Sequence, residues 1–401
     1  MGVKFALILF ALLFAYLGIY LNVPLPEGIQ EKWTLKAFLA GFKVAHLMGS
    51  VGSGIGYGSN LNITRITFGT MFAWTSQPIS SEGLEIRDTT IEEVPVRIYR
   101  KNGLDGKLLP VLVYYHGGGM ITFSLDCYEN ILRQMAKELD IIIISVGYRL
   151  APEHKFPAAA DDCYTVTLNV LKQTDVYGGD KTKVAIAGDS AGGNLAAAVS
   201  WLLAYSTTGI VQPILQVLIY PMLQANNFQV PSYVKQSNEL ALGGAIAGAW
   251  YIYCTGKSTP PVAELLANNH TSYEFKKSKY WKFADVSLIQ HPRYKVKHVD
   301  PPGSLYNEDL ARELEPCVTD PSFSPLMADD LSKLPKTYFL SAEFDILRDE
   351  SFMYEARLKS AGVEVTHEHL YGAWHGVVSY TRTATGRDAL QKVIKFLRNN
   401  L

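Results

Sequence analysis

An excess of either charge is missing from this chain: 37 Lys and Arg stand against 38 Asp and Glu over 401 residues, a formal net charge of −1. That balance excludes the electrostatic footprint of a nucleic-acid or polyanion binder. Repeats, low-complexity tracts and charge blocks are absent as well. Cysteine is scarce. Cys127, Cys163, Cys254 and Cys317 permit disulfides in an oxidising compartment, but spacing alone does not pair them. No metal-ligand set stands out. His367-Glu368-His369 puts two histidines on one strand face, yet no third ligand cluster accompanies them, and an exposed strand face accounts for them. No metal and no organic cofactor are expected.

What the chain does hold is Gly188-Asp189-Ser190-Ala191-Gly192. The preceding Val184–Ala187 reads as a short buried strand, and the following Asn194–Leu203 as an apolar helix. A strand that turns sharply into a helix at G-x-S-x-G is the nucleophile elbow of serine hydrolases. Side chains at Gly188 or Gly192 would collide with the neighbouring strand or helix. The Ser190 hydroxyl is then left free beside a helix N-terminus. The plain alternative is a serine that merely caps the helix.

Upstream, the strand-like Leu109–Tyr115 runs into His116-Gly117-Gly118-Gly119. Consecutive glycines let backbone amides approach a substrate carbonyl oxygen. The expected oxyanion donors are the amides of Gly117, Gly118 and Ala191, and His116 is expected to brace the loop. A serine needs a base, and the base needs an orienting carboxylate. In α/β-hydrolases they follow in the order Ser, Asp or Glu, His. Asp345 follows the strand-like Thr337–Ala342, and His375 follows the strand-like Val363–Leu370, so both sit just past strand ends where catalytic loops gather. Glu343 and Asp349 compete with Asp345 for the acid role. Asp345 is preferred because it closely follows the strand and fits the family pattern below.

These residues make the chain similar to the hormone-sensitive-lipase group of α/β-hydrolases, and it resembles the arylacetamide deacetylase branch most closely. The matching stretches are Tyr115–Gly119, Tyr148–Glu153, Phe156-Pro157, Gly188–Ala196, Ile219–Pro221, Phe344–Asp349 and His375-Gly376. The resemblance implies a serine esterase of lipophilic substrates, acylglycerol-like or aryl-acetate-like, with amidase activity on arylacetamides as the alternative. A third possibility is a small-ligand receptor on the same fold, but such receptors lose the catalytic histidine, which is present here. In two places the chain departs from that branch. Met120 stands where Trp is frequent, and Ile121 and Ser341 stand where deacetylase-type members tend to carry cysteines, so that disulfide is not carried over.

Alternating strand-like and helical runs argue for an α/β-hydrolase fold, with a mostly parallel central sheet covered by helices on both faces. From 222 to 335 the alternation breaks, and the segment reads as an inserted helical lid. Its most apolar part, Leu240–Cys254, reads as a helix lining an acyl pocket. Cys254 and Cys317 both fall in this lid, which makes them the favoured pair. The hydrolase domain is expected over 25–401, with residues 25–75 contributing to the lid. Ahead of it, Phe5–Leu21 carries no charge or strongly polar residue, near the short end of the roughly 17 to 25 residues that span a bilayer. With no small-residue cleavage site after it, residues 1–24 read as an uncleaved signal anchor. Lys4 before the run and Glu27 and Glu31 after it favour a single-pass type II orientation in the endoplasmic reticulum membrane, catalytic domain lumenal. The sequons at Asn62 and Asn269 agree with that side, which makes the chain a candidate glycoprotein.

Overall fold

The computed structural model describes residues 18, 22–75, 78–206, 209, 211–240, 242–297 and 305–401. The membrane span expected over 5–21, within the signal anchor expected over 1–24, therefore lies outside the described residues apart from Gly18. Among the described residues no helix is long and apolar enough to cross a membrane. The chain divides into two units, residues 1–75 and 76–401.

The first unit holds α1 (Lys32–Gly54) and α2 (Asn60–Thr75). They form an antiparallel hairpin: Gly41 lies against Met71, while Gly52 faces Ile63 near the turn. Phe68 meets Phe38 and Phe42 edge-on at 5.5 and 5.3 Å. At Gly49 a Cβ would run into Thr64 and Asn60, so glycine is what lets the helices close.

The second unit is built on one eight-stranded sheet in the order β1-β2-β4-β3-β5-β6-β7-β8. The strands are β1 (Leu84–Ile91), β2 (Val94–Lys101), β3 (Leu109–Tyr115), β4 (Ile142–Val146), β5 (Gly179–Asp189), β6 (Leu215–Ile219), β7 (Lys336–Phe344) and β8 (Val365–Trp374). From β4 to β8 across the sheet every pairing is parallel, while β1 and β2 add an antiparallel edge. Parallel strands need crossovers, which bring helices onto the faces and bury both sides of the sheet. The all-apolar or near-apolar runs of β3, β4 and β6 are accordingly buried almost throughout. α3 (Glu129–Glu138), α4 (Ala158–Lys172) and α5 (Ala191–Ala204) follow β3, β4 and β5. α4 packs on α5, and α5 packs on β3, β5 and β6.

The sequence pattern did not reveal β1. Its Glu85, Arg87 and Asp88 are solvent-exposed, and only Leu84 and Ile91 at its ends are buried. An edge strand facing water has no apolar alternation to betray it.

Between β6 and β7, no strand occurs among the described residues of 222–335. α6 (Pro231–Leu240), α7 (Gly243–Thr255), single helical turns at Val262–Leu266, Tyr273–Lys277 and Lys279–Phe283, and α8 (Glu308–Val318) fill the interval. A disulfide joins Cys254 near the end of α7 to Cys317 in α8, while Cys127 and Cys163 are free and buried. The apolar α7 is tucked inward: Trp250 lies 4.7 Å from Phe323, and Tyr253 stacks on the same ring. α9 (Arg348–Ser360) packs on β7 and β8, and α10 (Ala384–Asn400) packs on β7 and α3.

Candidate active site

The site forms where β3, β5, β7 and β8 end. β5 stops at Asp189 and α5 starts at Ala191, leaving Ser190 alone in the turn with φ 55° and ψ −119°. A non-glycine residue at that φ costs on the order of 1–3 kcal/mol and persists only where its surroundings enforce it. They do so here: Ser190 N–H donates to Ile219 O at 2.9 Å, and Ser190 O accepts from Met222 N–H at 3.1 Å. The turn is also crowded. A Cβ on Gly188 would strike the Gly192 carbonyl, and one on Gly192 would strike the Tyr115 carbonyl. Ser190 does not cap α5, for its side chain makes no bond to the helix N-terminus.

Its hydroxyl instead meets His375. The Ser190 Oγ to His375 Nε2 distance is 2.9 Å, and His375 Nδ1 lies 2.9 Å from Asp345 Oδ2. The three side chains come from positions 185 and 30 residues apart in sequence. Asp345 is fully buried and also accepts the Leu347 amide at 2.8 Å, which fixes its carboxylate. The two competing acids are committed elsewhere. Glu343 accepts the Gly372 amide and pairs with Arg293, while Asp349 pairs with Arg348 and accepts the Ser232 amide. Burial opposes the His375 imidazolium. The charge and hydrogen bond of Asp345, with the charge of Asp189, outweigh that and hold its pKa above the ordinary 6.5. The Tyr220 ring sits 4.9 Å from the imidazole and limits its swing.

The glycine loop corrects one expectation. The Gly117 amide does not face an empty oxyanion position: it donates to Asp189 Oδ1 at 3.0 Å and to the Tyr128 hydroxyl at 2.8 Å. The amides of Gly118, Gly119 and Ala191 have no partner among the described residues. Gly118 and Gly119 hold φ of 114° and 66°, and a Cβ on Gly118 would collide with the Thr122 carbonyl. Glycine is required at both. A Cβ on Gly119 would lie 3.0 Å from Ala249 Cβ, so α7 closes directly over this loop.

Asp189 does more than the sequence indicated. Its buried carboxylate collects the Gly117 amide and the hydroxyls of Tyr114 (3.0 Å) and Tyr128 (2.8 Å). Burial raises its pKa to about 6 despite those donors. The signal was available in principle, since a carboxylate closing a buried strand must find donors. His116 has the bracing position expected of it. Burial pushes its pKa down to about 4, its Nδ1–H donates to Gly117 O at 2.7 Å, and its ring stacks on Tyr148 at 4.3 Å. Tyr148 OH in turn donates to His116 O at 2.6 Å.

His367 and His369 are not an exposed strand face. Both rings turn inward onto Ser341 Oγ, at 2.7 and 2.8 Å. No cluster fit for a metal ion occurs among the described residues. Of the sequons, Asn62 lies half-buried on α2, and half-buried Asn269 donates through its side-chain amide to Glu264 at 2.8 Å.

A family model described as the alpha/beta hydrolase fold matches residues 112–278 and 296–379. Arylacetamide deacetylase of Bos taurus is 34% identical over 399 residues, covering 98% of each chain. Neutral cholesterol ester hydrolase 1 of Rattus norvegicus is 32% identical, covering 98% of this chain and 99% of that protein. Among solved structures, the hyperthermophilic esterase from the archaeon Pyrobaculum calidifontis superposes with a TM-score of 0.61 at 28% identity, over 84% of this chain and 93% of its own. A bacterial heroin esterase superposes with a TM-score of 0.64 at 25% identity, over 85% and 92%.

Proposed function

The chain belongs to the α/β-hydrolases, in the arylacetamide deacetylase-like branch of the hormone-sensitive-lipase group, and is a hydrolase of carboxylic esters; we propose that it is a membrane-anchored lumenal esterase of lipophilic substrates. The observation that carries its chemistry is the pair of 2.9 Å hydrogen bonds linking Ser190, His375 and Asp345. Ser190 Oγ attacks the ester carbonyl while His375 Nε2 takes its proton. Asp345 holds the ring with Nδ1–H inward and stabilises the imidazolium. His375 then protonates the leaving alcohol, and water releases the acid from the acyl-enzyme by the same relay. The oxyanion rests on the amides of Ala191 and Gly118, joined by Gly119 in place of Gly117. Each such donor lowers the barrier by about 3 kcal/mol.

A lipophilic substrate suits the apolar α7 beside Gly119, and the relatives include a cholesterol ester hydrolase. The anchor, its type II orientation in the endoplasmic reticulum and glycans at Asn62 and Asn269 are supported by the apolar run Phe5–Leu21, the flanking charges and the sequons. Deacetylation of arylacetamides is the second reading, favoured by the name of the deacetylase relatives.

Labelling with a fluorophosphonate probe tests the mechanism. Wild type is expected to label, Ser190→Ala not to label, and its kcat/KM on an aryl acetate to fall by about 10⁴ or more. An unlabelled, folded wild type would overturn the assignment. The ratio of kcat/KM on an aryl acetate to that on the matching arylacetamide decides between the two readings.

A further inference from the structure

α1 is apolar on two sides. Leu35, Leu39, Ala45 and Gly49 form its buried face, the side that meets α2. On the opposite side Trp33, Ala37, Val44, Met48, Val51 and Ile55 recur every three, four or seven residues, which places them on one helical face. That second face is open: Trp33 is 82%, Val51 56% and Ile55 77% exposed. An apolar stripe of this length, exposed except at half-buried Val44, marks an interaction surface. At 1.5 Å per residue it runs about 33 Å.

Charge selects the occupant. From Lys32 to Ser81 there is no Asp or Glu, and the formal charges are Lys32, Lys36, Lys43 and Arg65. The three lysines, spaced four and seven apart, fall along one border of the apolar stripe. An apolar helix face edged by lysines fits the boundary between headgroups and acyl chains, where the lysine stems lie along the apolar zone and the ammonium groups reach the phosphates. A segment whose only formal charges are positive suits the headgroup phosphates, which either leaflet carries. Position agrees with this: Lys32 follows Leu21, the end of the apolar run, by only eleven residues, a tether of at most about 40 Å.

We propose that the outer face of α1 rests on a lipid bilayer, its lysines at the headgroup phosphates, as a second membrane contact distinct from the N-terminal run. The tether argument rests on the anchor reading above; the stripe and its lysines do not. The contact is tested on the full chain reconstituted into phosphatidylcholine vesicles containing about 30% phosphatidylserine, an environment-sensitive fluorophore being attached at Val51→Cys or, separately, at Ile55→Cys. The native cysteines are buried or disulfide-bonded, so the introduced thiol takes the label. Doxyl-labelled lipid is expected to quench both positions at least three-fold more than aqueous iodide does. Lys32→Gln/Lys36→Gln/Lys43→Gln is expected to halve the lipid quenching or more. Aqueous emission with iodide quenching overturns the proposal. Protection from both quenchers also overturns it, because protein then covers the stripe. Lipid quenching unchanged by the lysine substitutions overturns the role given to the lysines. Resistance of the chain to alkaline carbonate extraction reports the anchor separately, so the two readings fail independently.

Discussion

The Asp189 carboxylate accepts the Gly117 amide at 3.0 Å, tying the turn that carries the serine directly to the loop that carries the glycines. Two hydroxyls, from Tyr114 and Tyr128, complete its coordination. The first glycine is thus a fastening point, while the Gly118 and Gly119 amides keep no partner among the described residues.

Asp189→Asn puts an amide N–H₂ against groups that are themselves donors. If the clamp positions the oxyanion amides, kcat on an aryl acetate falls by about 10²- to 10³-fold, comparable to losing one oxyanion donor, while KM moves little. Stability gives a second readout. The native Asp189 pKa of about 6 lies above the ordinary 3.8 because of burial. Between those values the folded state holds a proton that the unfolded chain has released, so stability falls as pH rises through that window. The limit is about 3 kcal/mol for two pH units of displacement. Urea unfolding at pH 4 and pH 7 is expected to lose that contribution in the Asn variant.

His375 must be neutral to act as a base, and its pKa is held above 6.5. The acid limb of kcat/KM is therefore expected above pH 6.5. Asp345→Asn should lower kcat about 10⁴-fold and move the limb down, because the largest influence favouring the imidazolium is gone. The linked stability has the opposite sense from activity. A raised imidazole pKa stabilises the fold fully below 6.5, and that contribution disappears as pH climbs through the native value. An acid limb unmoved in Asp345→Asn would disprove the coupling.

Ser341 lies in a chain of hydrogen bonds. Tyr294 OH meets His369 Nε2 (3.0 Å), His369 Nδ1 meets Ser341 Oγ (2.8 Å), Ser341 Oγ meets His367 Nε2 (2.7 Å) and His367 Nδ1–H donates to Glu355 (2.6 Å). The His369 pKa is pushed down to about 3 by burial and by its histidine neighbours, which keeps that ring neutral. Ser341→Ala strands one ring nitrogen on each histidine. A loss of about 2–5 kcal/mol in unfolding free energy is expected, from two unsatisfied groups at about 1–3 kcal/mol each. Fluorophosphonate labelling at 25 °C should persist.

Removing the Cys254–Cys317 bond, by Cys254→Ser with Cys317→Ser, should cost about 4 kcal/mol on the chain-entropy account of a loop this long, whose ends lie 63 residues apart. A fall in unfolding temperature under non-reducing conditions, abolished when wild type is pre-treated with reductant, is the check.

The catalytic geometry was legible because its constraints are local and strict. Gly188 and Gly192 have no space for a Cβ, and the order Ser, Asp, His survives any loop length between them. Cys254 and Cys317 could be favoured as a pair because both fall in the one segment that breaks the α/β alternation. What stayed hidden depends on groups distant in sequence. Nothing in the glycine run announces that Asp189, seventy-two residues on, consumes its first amide. His367 and His369 read as a wet strand face because alternation alone cannot show that Tyr294 and Ser341 cover them. β1 escaped notice because water needs no apolar pattern.

The cystine between α7 and α8 also fixes how this molecule comes apart. A protease that nicks the chain anywhere from 255 to 316 severs the peptide backbone but not the connection. The product migrates as one species until reductant is added, then resolves into two, and up to that moment the helix beside Gly119 stays covalently joined to both pieces.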